Sequence, residues 1–180
     1  MLQSLTEKLR QCQTKDVHRF FKKIRFIERS NSNNSDLRKS IIELDALIDN
    51  SISITESKEF LIPRSINFPE NLPVSTKASE IGELLSSNQV IIVSGDTGSG
   101  KTTQLPKICL AAGYGRRGVI GHCQPRRLAA TSVASRIASE LDSQIGALVG
   151  YQVRFNERIS ESCCIKLMTD GILLSEIQSD

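Results

Sequence analysis

The chain has 180 residues, with 23 Lys+Arg against 20 Asp+Glu for a net charge of +3, 39% hydrophobic residues, 4% aromatics and no tryptophan. That composition excludes collagen-like, disulfide-scaffold and wholly disordered chains, and the length is about one domain's worth. The charge is unevenly spread: +5 over residues 1–30, −3 over 36–70 and +1 over 71–180.

Residues 1–29 carry helical spacing, with Leu2, Leu5 and Leu9 followed by Val17, Phe20, Phe21, Ile24 and Ile27. Their basic excess suits phosphates or an anionic lipid surface, or simply a solvated helix face. The polar stretch 30–35 reads as a short linker. A second amphipathic helix follows, with Leu37, Ile41, Leu44, Leu47 and Ile48 on one face. The pattern decays from Ser51, and Pro63, Pro69 and Pro73 forbid a long helix before Pro73. These signals divide the chain into a helical, basic region with its linker over 1–70 and a second domain over 71–180.

In the second domain, Ala78, Ile81, Leu84 and Leu85 mark a short helix. Gln89–Ser94 reads as a strand whose β-branched run suggests burial on both faces. A Gly-rich turn and a helix from about Gly100 to Ala112 come next. Val119–Cys123 reads as a strand, then Arg126–Leu141 as a helix with Leu128, Val133, Ile137 and Leu141 inward. Ala147–Val153 and Cys163–Met168 read as two further strands, the last leading into a helix through Ile172, Leu173 and Ile177. Strands alternating with helices in this way define an α/β fold with a parallel sheet and flanking helices.

Five cysteines form no C-x-x-C pair, and His122-Cys123 has no further ligand at metal spacing, so reduced thiols in a cytoplasmic protein are expected. Apolar runs such as Val90–Val93 are far shorter than the ~20 residues of a membrane span, and the N-terminus has no signal-peptide core.

Gly95-Asp96-Thr97-Gly98-Ser99-Gly100-Lys101-Thr102 matches G-x-x-x-x-G-K-[ST], between the expected strand and helix. Its glycines let successive backbone N–H groups turn toward phosphate oxygens. Lys101 adds a point charge for the β/γ-phosphates, the Thr102 hydroxyl can ligate Mg²⁺, and the helix start presents its positive dipole end. A P-loop protein binding a nucleoside triphosphate, with Mg²⁺ on Thr102, is the expectation.

Many activities share such a loop, so residues downstream have to discriminate. Gln124-Pro125-Arg126-Arg127 opens a helix with two adjacent arginines, an arrangement opposed by the dipole unless an anion or a carboxylate compensates. A nucleic-acid phosphate would satisfy both arginines. In Met168-Thr169-Asp170-Gly171, Thr169 or Asp170 can cap the following helix. Asp170 also ends an apolar strand, as a Walker B carboxylate would, but Lys166 interrupts the run and Gly171 follows in place of an acid.

Together these segments resemble the first RecA-type domain of DEAH-box RNA helicases: Gly95–Thr103 resembles motif I, Gln124–Ala130 motif Ia, and Thr169-Asp170-Gly171 motif Ib. Ser132–Ala138 and Gly150–Phe155 also resemble family segments, and the basic N-terminal helix with Val17–Phe20 is similar to that of the bacterial HrpA-type members. The resemblance implies that Lys101, with the loop from Gly95 and Asp96 through Thr97, Gly98, Ser99, Gly100, Thr102 and Thr103, holds ATP, with Mg²⁺ on Thr102. It implies that Arg136 stacks on the base, and that Arg126, Arg127, Thr169, Asp170 and Arg154 line a largely sequence-independent path for single-stranded RNA. Asp96 stands where the family usually has Glu, and Cys123 where Thr is common.

The sequence contains no Asp-Glu-Ala-His tetrapeptide. The resemblance therefore implies a RecA-like domain truncated before that motif. The 180 residues are expected to bind nucleotide and RNA phosphates, as a monomer away from membranes, without unwinding duplexes. Two other readings stay open. One is a small P-loop kinase or GTPase with Asp170 as the Mg²⁺ carboxylate, although no N-K-x-D motif for guanine occurs. The other is a non-enzymatic RNA-binding module acting through residues 1–30.

Overall fold

A computed structural model describes residues 2–30 and 35–179. The linker expected over 30–35 thus lies mostly outside the described residues. The chain divides into two compact units, Met1–Phe60 and Leu61–Asp180. Residues 61–70, grouped with the first region on sequence grounds, belong with the second, where Ile62 and Ile66 pack against the main core.

The first unit is helical: α1 (Leu2–Lys8), α2 (Thr14–Arg29) and α3 (Ser35–Leu61). Leu5, Leu9, Phe20, Ile24, Ile27, Leu44 and Ile48 bury one face of each helix in a common core. Leu47, expected on that face, is part-exposed. The continuous helical reading of 1–29 breaks at residues 9–13 because α3 supplies polar partners there. Ser51 Oγ accepts from the Gln13 backbone N–H (3.0 Å), while the Gln13 side chain donates to Thr55 Oγ1 and accepts from Lys58 Nζ (2.7 and 2.9 Å). Ser51, Thr55 and Lys58 are all buried at helical spacing. This polar stripe lets α3 run on to Leu61 beyond the point where its apolar pattern fades. At the other end Lys8 Nζ bridges Asp45 and Asp49, one turn apart on α3 (2.7 and 2.8 Å).

The second unit is α/β. A 3₁₀ turn (Ser75–Lys77) leads into α4 (Ala78–Ser87), then α5 (Lys101–Ala111), β1 (Ile120–Gln124), α6 (Arg127–Glu140), β2 (Val149–Val153), β3 (Asn156–Arg158), β4 (Ile165–Thr169) and α7 (Asp170–Ser179). The four strands form one sheet in the order β1-β4-β2-β3, parallel except for the antiparallel β2–β3 hairpin. Ala134, Ile137 and Ala138 of α6 meet Val149, Tyr151, Ile165 and Leu167 of the sheet in the main core. A smaller cluster, Val74, Ile81 and Ile108, joins α4 to α5.

Two sequence expectations are corrected. Gln89–Ser94 is not a strand: it belongs to no sheet, and only one of its faces is covered. Ile91 and Val93 pack on the smaller cluster, whereas Val90 and Ile92 are 78% and 92% exposed. The β-branched run is there, but among the described residues no strand lies beside it to complete a ladder. Leu128, expected inward, is 84% exposed, because at helical spacing it is out of phase with the buried face of α6, Ala130, Ala134, Ile137 and Ala138. β3 is short, polar and fully exposed, so it carried no apolar signal.

Candidate functional site

The glycine-rich loop spans Gly95–Gly100 and opens directly into α5. Gly98 and Gly100 have φ of +85° and +90°, the left-handed region that costs other residues about 1–2 kcal/mol. Gly100 is also sterically required, because a Cβ there would lie 2.9 Å from Leu72 Cδ1 and 3.1 Å from Val74 Cγ1. These conformations wrap the loop around the ammonium of Lys101. Its Nζ donates to the carbonyls of Gly95 (2.6 Å) and Asp96 (2.8 Å) and to Ser99 Oγ (3.0 Å). The loop is further fixed by the Val74 N–H donating to Ser99 O (3.1 Å).

Few of the loop's own donors are used. Ser99 N–H reaches Asp96 O, and Thr103 and Gln104 N–H reach Gly100 O. The N–H groups of Thr97, Gly98, Gly100, Lys101 and Thr102 have no acceptor among the described residues. Unused N–H groups at a helix start, beside a fixed ammonium, are the donors and charge that an anion requires. The Thr102 hydroxyl is exposed and has no partner among the described residues, so it is available to a hard cation. Thr103 Oγ1, by contrast, is engaged with Gly100 O and the Gln104 amide.

A cleft of about 520 Å³ runs from this loop to Arg136 and Glu140 of α6, with Leu72 on its wall. Arg136 Nε donates to Glu140 Oε1 (2.7 Å), which holds the guanidinium against the cleft. Behind it lies a buried network. Lys107 Nζ, on a side chain 1% exposed, donates to Glu140 Oε2 (2.9 Å), Gln104 Oε1 (3.0 Å) and Asn67 O (2.7 Å). The Gln104 amide adds a bond to Glu140 Oε2 (2.9 Å), and Phe68 packs its ring 5.4 Å from the ammonium. Burial opposes ionisation of Glu140, but hydrogen bonds from Lys107, Gln104 and Arg136 outweigh it and hold the carboxyl at about 2. The Arg136–Glu140 spacing is legible in sequence as an i,i+4 pair. Nothing local signalled that Lys107 and Gln104 would reach the same carboxylate from another helix.

The remaining candidates gather at the carboxyl ends of the parallel strands. Gln124 and Thr169 are register partners across β1 and β4, and Gln152 of β2 pairs with Met168. Arg126 and Arg127, Thr169 and Asp170, and Arg154 therefore leave three adjacent strands at one sheet edge. Ligand sites of open α/β sheets lie at that edge. Arg126 and Arg127 are exposed and have no carboxylate partner among the described residues, so an ion pair does not account for two arginines at the start of α6. Arg154 stacks on Phe155 at 4.9 Å. Burial, then the charges of Asp170 and Glu176, push the Cys123 thiol up. Burial pushes His122 down, and its Nε2 lies 2.6 Å from the Gln124 amide nitrogen.

Fold and site together define an α/β protein whose glycine-rich loop holds a lysine ammonium at the start of α5, with exposed arginines at the carboxyl ends of its parallel strands. The chain is 46% identical over 178 residues, 98% of its length, to the ATP-dependent RNA helicase HrpA of Escherichia coli. It is 49% identical over 138 residues, 77% of its length, to the HrpA homolog of Haemophilus influenzae. Over 108 residues, 60% of its length, it is 48% identical to the probable ATP-dependent RNA helicase DHX40 of Homo sapiens. Over nearly all of its length the chain is similar to ATP-dependent RNA helicases of the HrpA type. It spans 11–14% of the length of these three relatives. No family model matches it.

Proposed function

We propose that the chain is the nucleotide-binding and part of the RNA-binding apparatus of an ATP-dependent RNA helicase, with a RecA-like, P-loop second domain. The observation that carries this reading is the Lys101 ammonium fixed inside a loop whose neighbouring N–H groups lack acceptors. The triphosphate binds across Thr97–Thr102, with Mg²⁺ on Thr102, and Arg136 lies against the base. Lys101 and the N–H groups neutralise phosphoryl charge by position alone, which is most of what phosphoryl transfer asks of a protein.

RNA follows the sheet edge, contacting Arg126, Arg127, Arg154, Thr169 and Asp170 through its backbone. Contacts of that kind give little sequence preference and strong salt dependence. The protein works as a monomer in the cytoplasm. In this reading Asp170, in the first turn of α7, lies on the RNA side. A kinase or GTPase using it for Mg²⁺ is disfavoured because Asp170 opens α7 rather than ending β4, and Lys166 interrupts the apolar run of that strand.

The test is RNA-stimulated ATP hydrolysis by a longer chain spanning the homologous helicase length. Arg126→Ala/Arg127→Ala should raise the RNA concentration for half-stimulation at least tenfold and leave the RNA-free rate unchanged. Hydrolysis indifferent to RNA, or phosphate transfer to a small acceptor, would favour the kinase or GTPase reading.

A further inference from the structure

The first unit carries a surface that the nucleotide reading does not use. On α2, Lys15, Arg19, Lys22, Phe26 and Arg29 recur at intervals of four, three, four and three, which keeps them on one face. That face is opposite the buried Phe20, Ile24 and Ile27, and the stripe is about 21 Å long at 1.5 Å per residue. His18 and Arg25 flank it, both exposed. Phe26 is 73% exposed in the middle of the cations. Arg25 stacks its guanidinium over Phe21 at 5.1 Å, and Arg19 over Phe20 at the same distance. Acidic groups stand only at the edges. Asp16 accepts from Ser51 and lies 3.5 Å from Arg19, and Glu28 is displaced to the side. Lys15, Lys22, Lys23, Arg25 and Arg29 have no carboxylate partner among the described residues.

We infer that this face of α2 is a docking surface for single-stranded nucleic acid, separate from the sheet-edge path. Uncompensated cations along a rigid helix complement a phosphate chain, and an exposed phenyl ring among them offers a stacking platform to an unpaired base. An anionic membrane fits less well. Membrane-lying helices insert a broad apolar face, and the apolar face of α2 is already turned into the core of its own unit. A purely acidic peptide would leave Phe26 without a role.

The experiment is fluorescence anisotropy of a labelled oligo(U) strand against the 180-residue chain over a salt series. All proteins carry Arg126→Ala/Arg127→Ala so that the sheet-edge path does not mask the result. Lys15→Gln/Lys22→Gln/Arg29→Gln should weaken binding at least tenfold at low salt. It should also lower the slope of log K against log salt by about 2, at about 0.7 per phosphate contact. Phe26→Ala should weaken binding about fivefold or more for the strand, and not for inorganic polyphosphate. All four side chains are exposed, so the variants keep the helical spectrum of the parent. Affinity and slope unchanged in both variants would overturn the proposal. So would losses confined to phosphatidylserine vesicles, which would make the face a membrane contact, or a Phe26→Ala loss equal for polyphosphate.

Discussion

Lys107→Met tests whether the buried charge network behind Arg136 holds the second unit together. In the folded chain the ammonium, on a side chain 1% exposed, meets Glu140, Gln104 and Asn67 within 3.0 Å. Removing one member of a buried ion pair leaves the other charge uncompensated, at about 3–5 kcal/mol. Methionine preserves the aliphatic stem against Phe68, and Glu140 keeps its bonds from Gln104 and Arg136. The loss should therefore fall at about 3 kcal/mol, the low end of that range. For a unit of this size it corresponds to a fall in Tm of about 10–15 °C. Urea and thermal denaturation followed by circular dichroism measure it. Lys107→Met/Glu140→Gln should lose at least ~1 kcal/mol less than the sum of its single substitutions, because neither charge is then stranded. A single-substitution loss below ~1 kcal/mol, or strict additivity, would refute the reasoning.

The same carboxylate sets an acid limb. Glu140 is held at about 2 against an ordinary 4.5, so its contribution is complete above pH ~4.5 and is lost as pH falls through ~2. Glu140→Gln should remove that part of the acid-unfolding curve, and an unchanged curve would place the acid sensitivity elsewhere. The two left-handed loop glycines should separate in denaturant titrations. Gly98→Ala, with open space around it, should cost about 1–2 kcal/mol, whereas Gly100→Ala, driven against Leu72 and Val74, should cost about 2–4 kcal/mol. Equal losses would mean that Leu72 and Val74 give way freely.

Much of this arrangement is legible in the sequence where one short segment carries all the information. The loop conformation follows from glycines at fixed offsets, and α5, α6, β1, β2 and β4 follow from local periodicity. The features missed depend on partners distant in sequence. The break at residues 9–13 is made by Ser51, Thr55 and Lys58 of α3, whose polar character hides their burial. The Lys107–Glu140 pair joins two helices that only the packed α/β unit brings together. Gln89–Ser94 has the β-branched run of a strand, but a strand also needs a neighbour, and residue pattern cannot supply one. Leu128 shows a different limit: the buried face of α6 is set largely by Ala130, Ala134 and Ala138, and a larger apolar residue off that face misleads.

The central claim is that the Lys101 loop is a nucleotide site, and calorimetric titration of MgATP into the 180-residue chain addresses it most directly. The chain should bind one equivalent, and Lys101→Ala, with its helical spectrum intact, should bind at least tenfold more weakly. Equal affinity in both proteins, or no binding by the parent chain, would contradict the account.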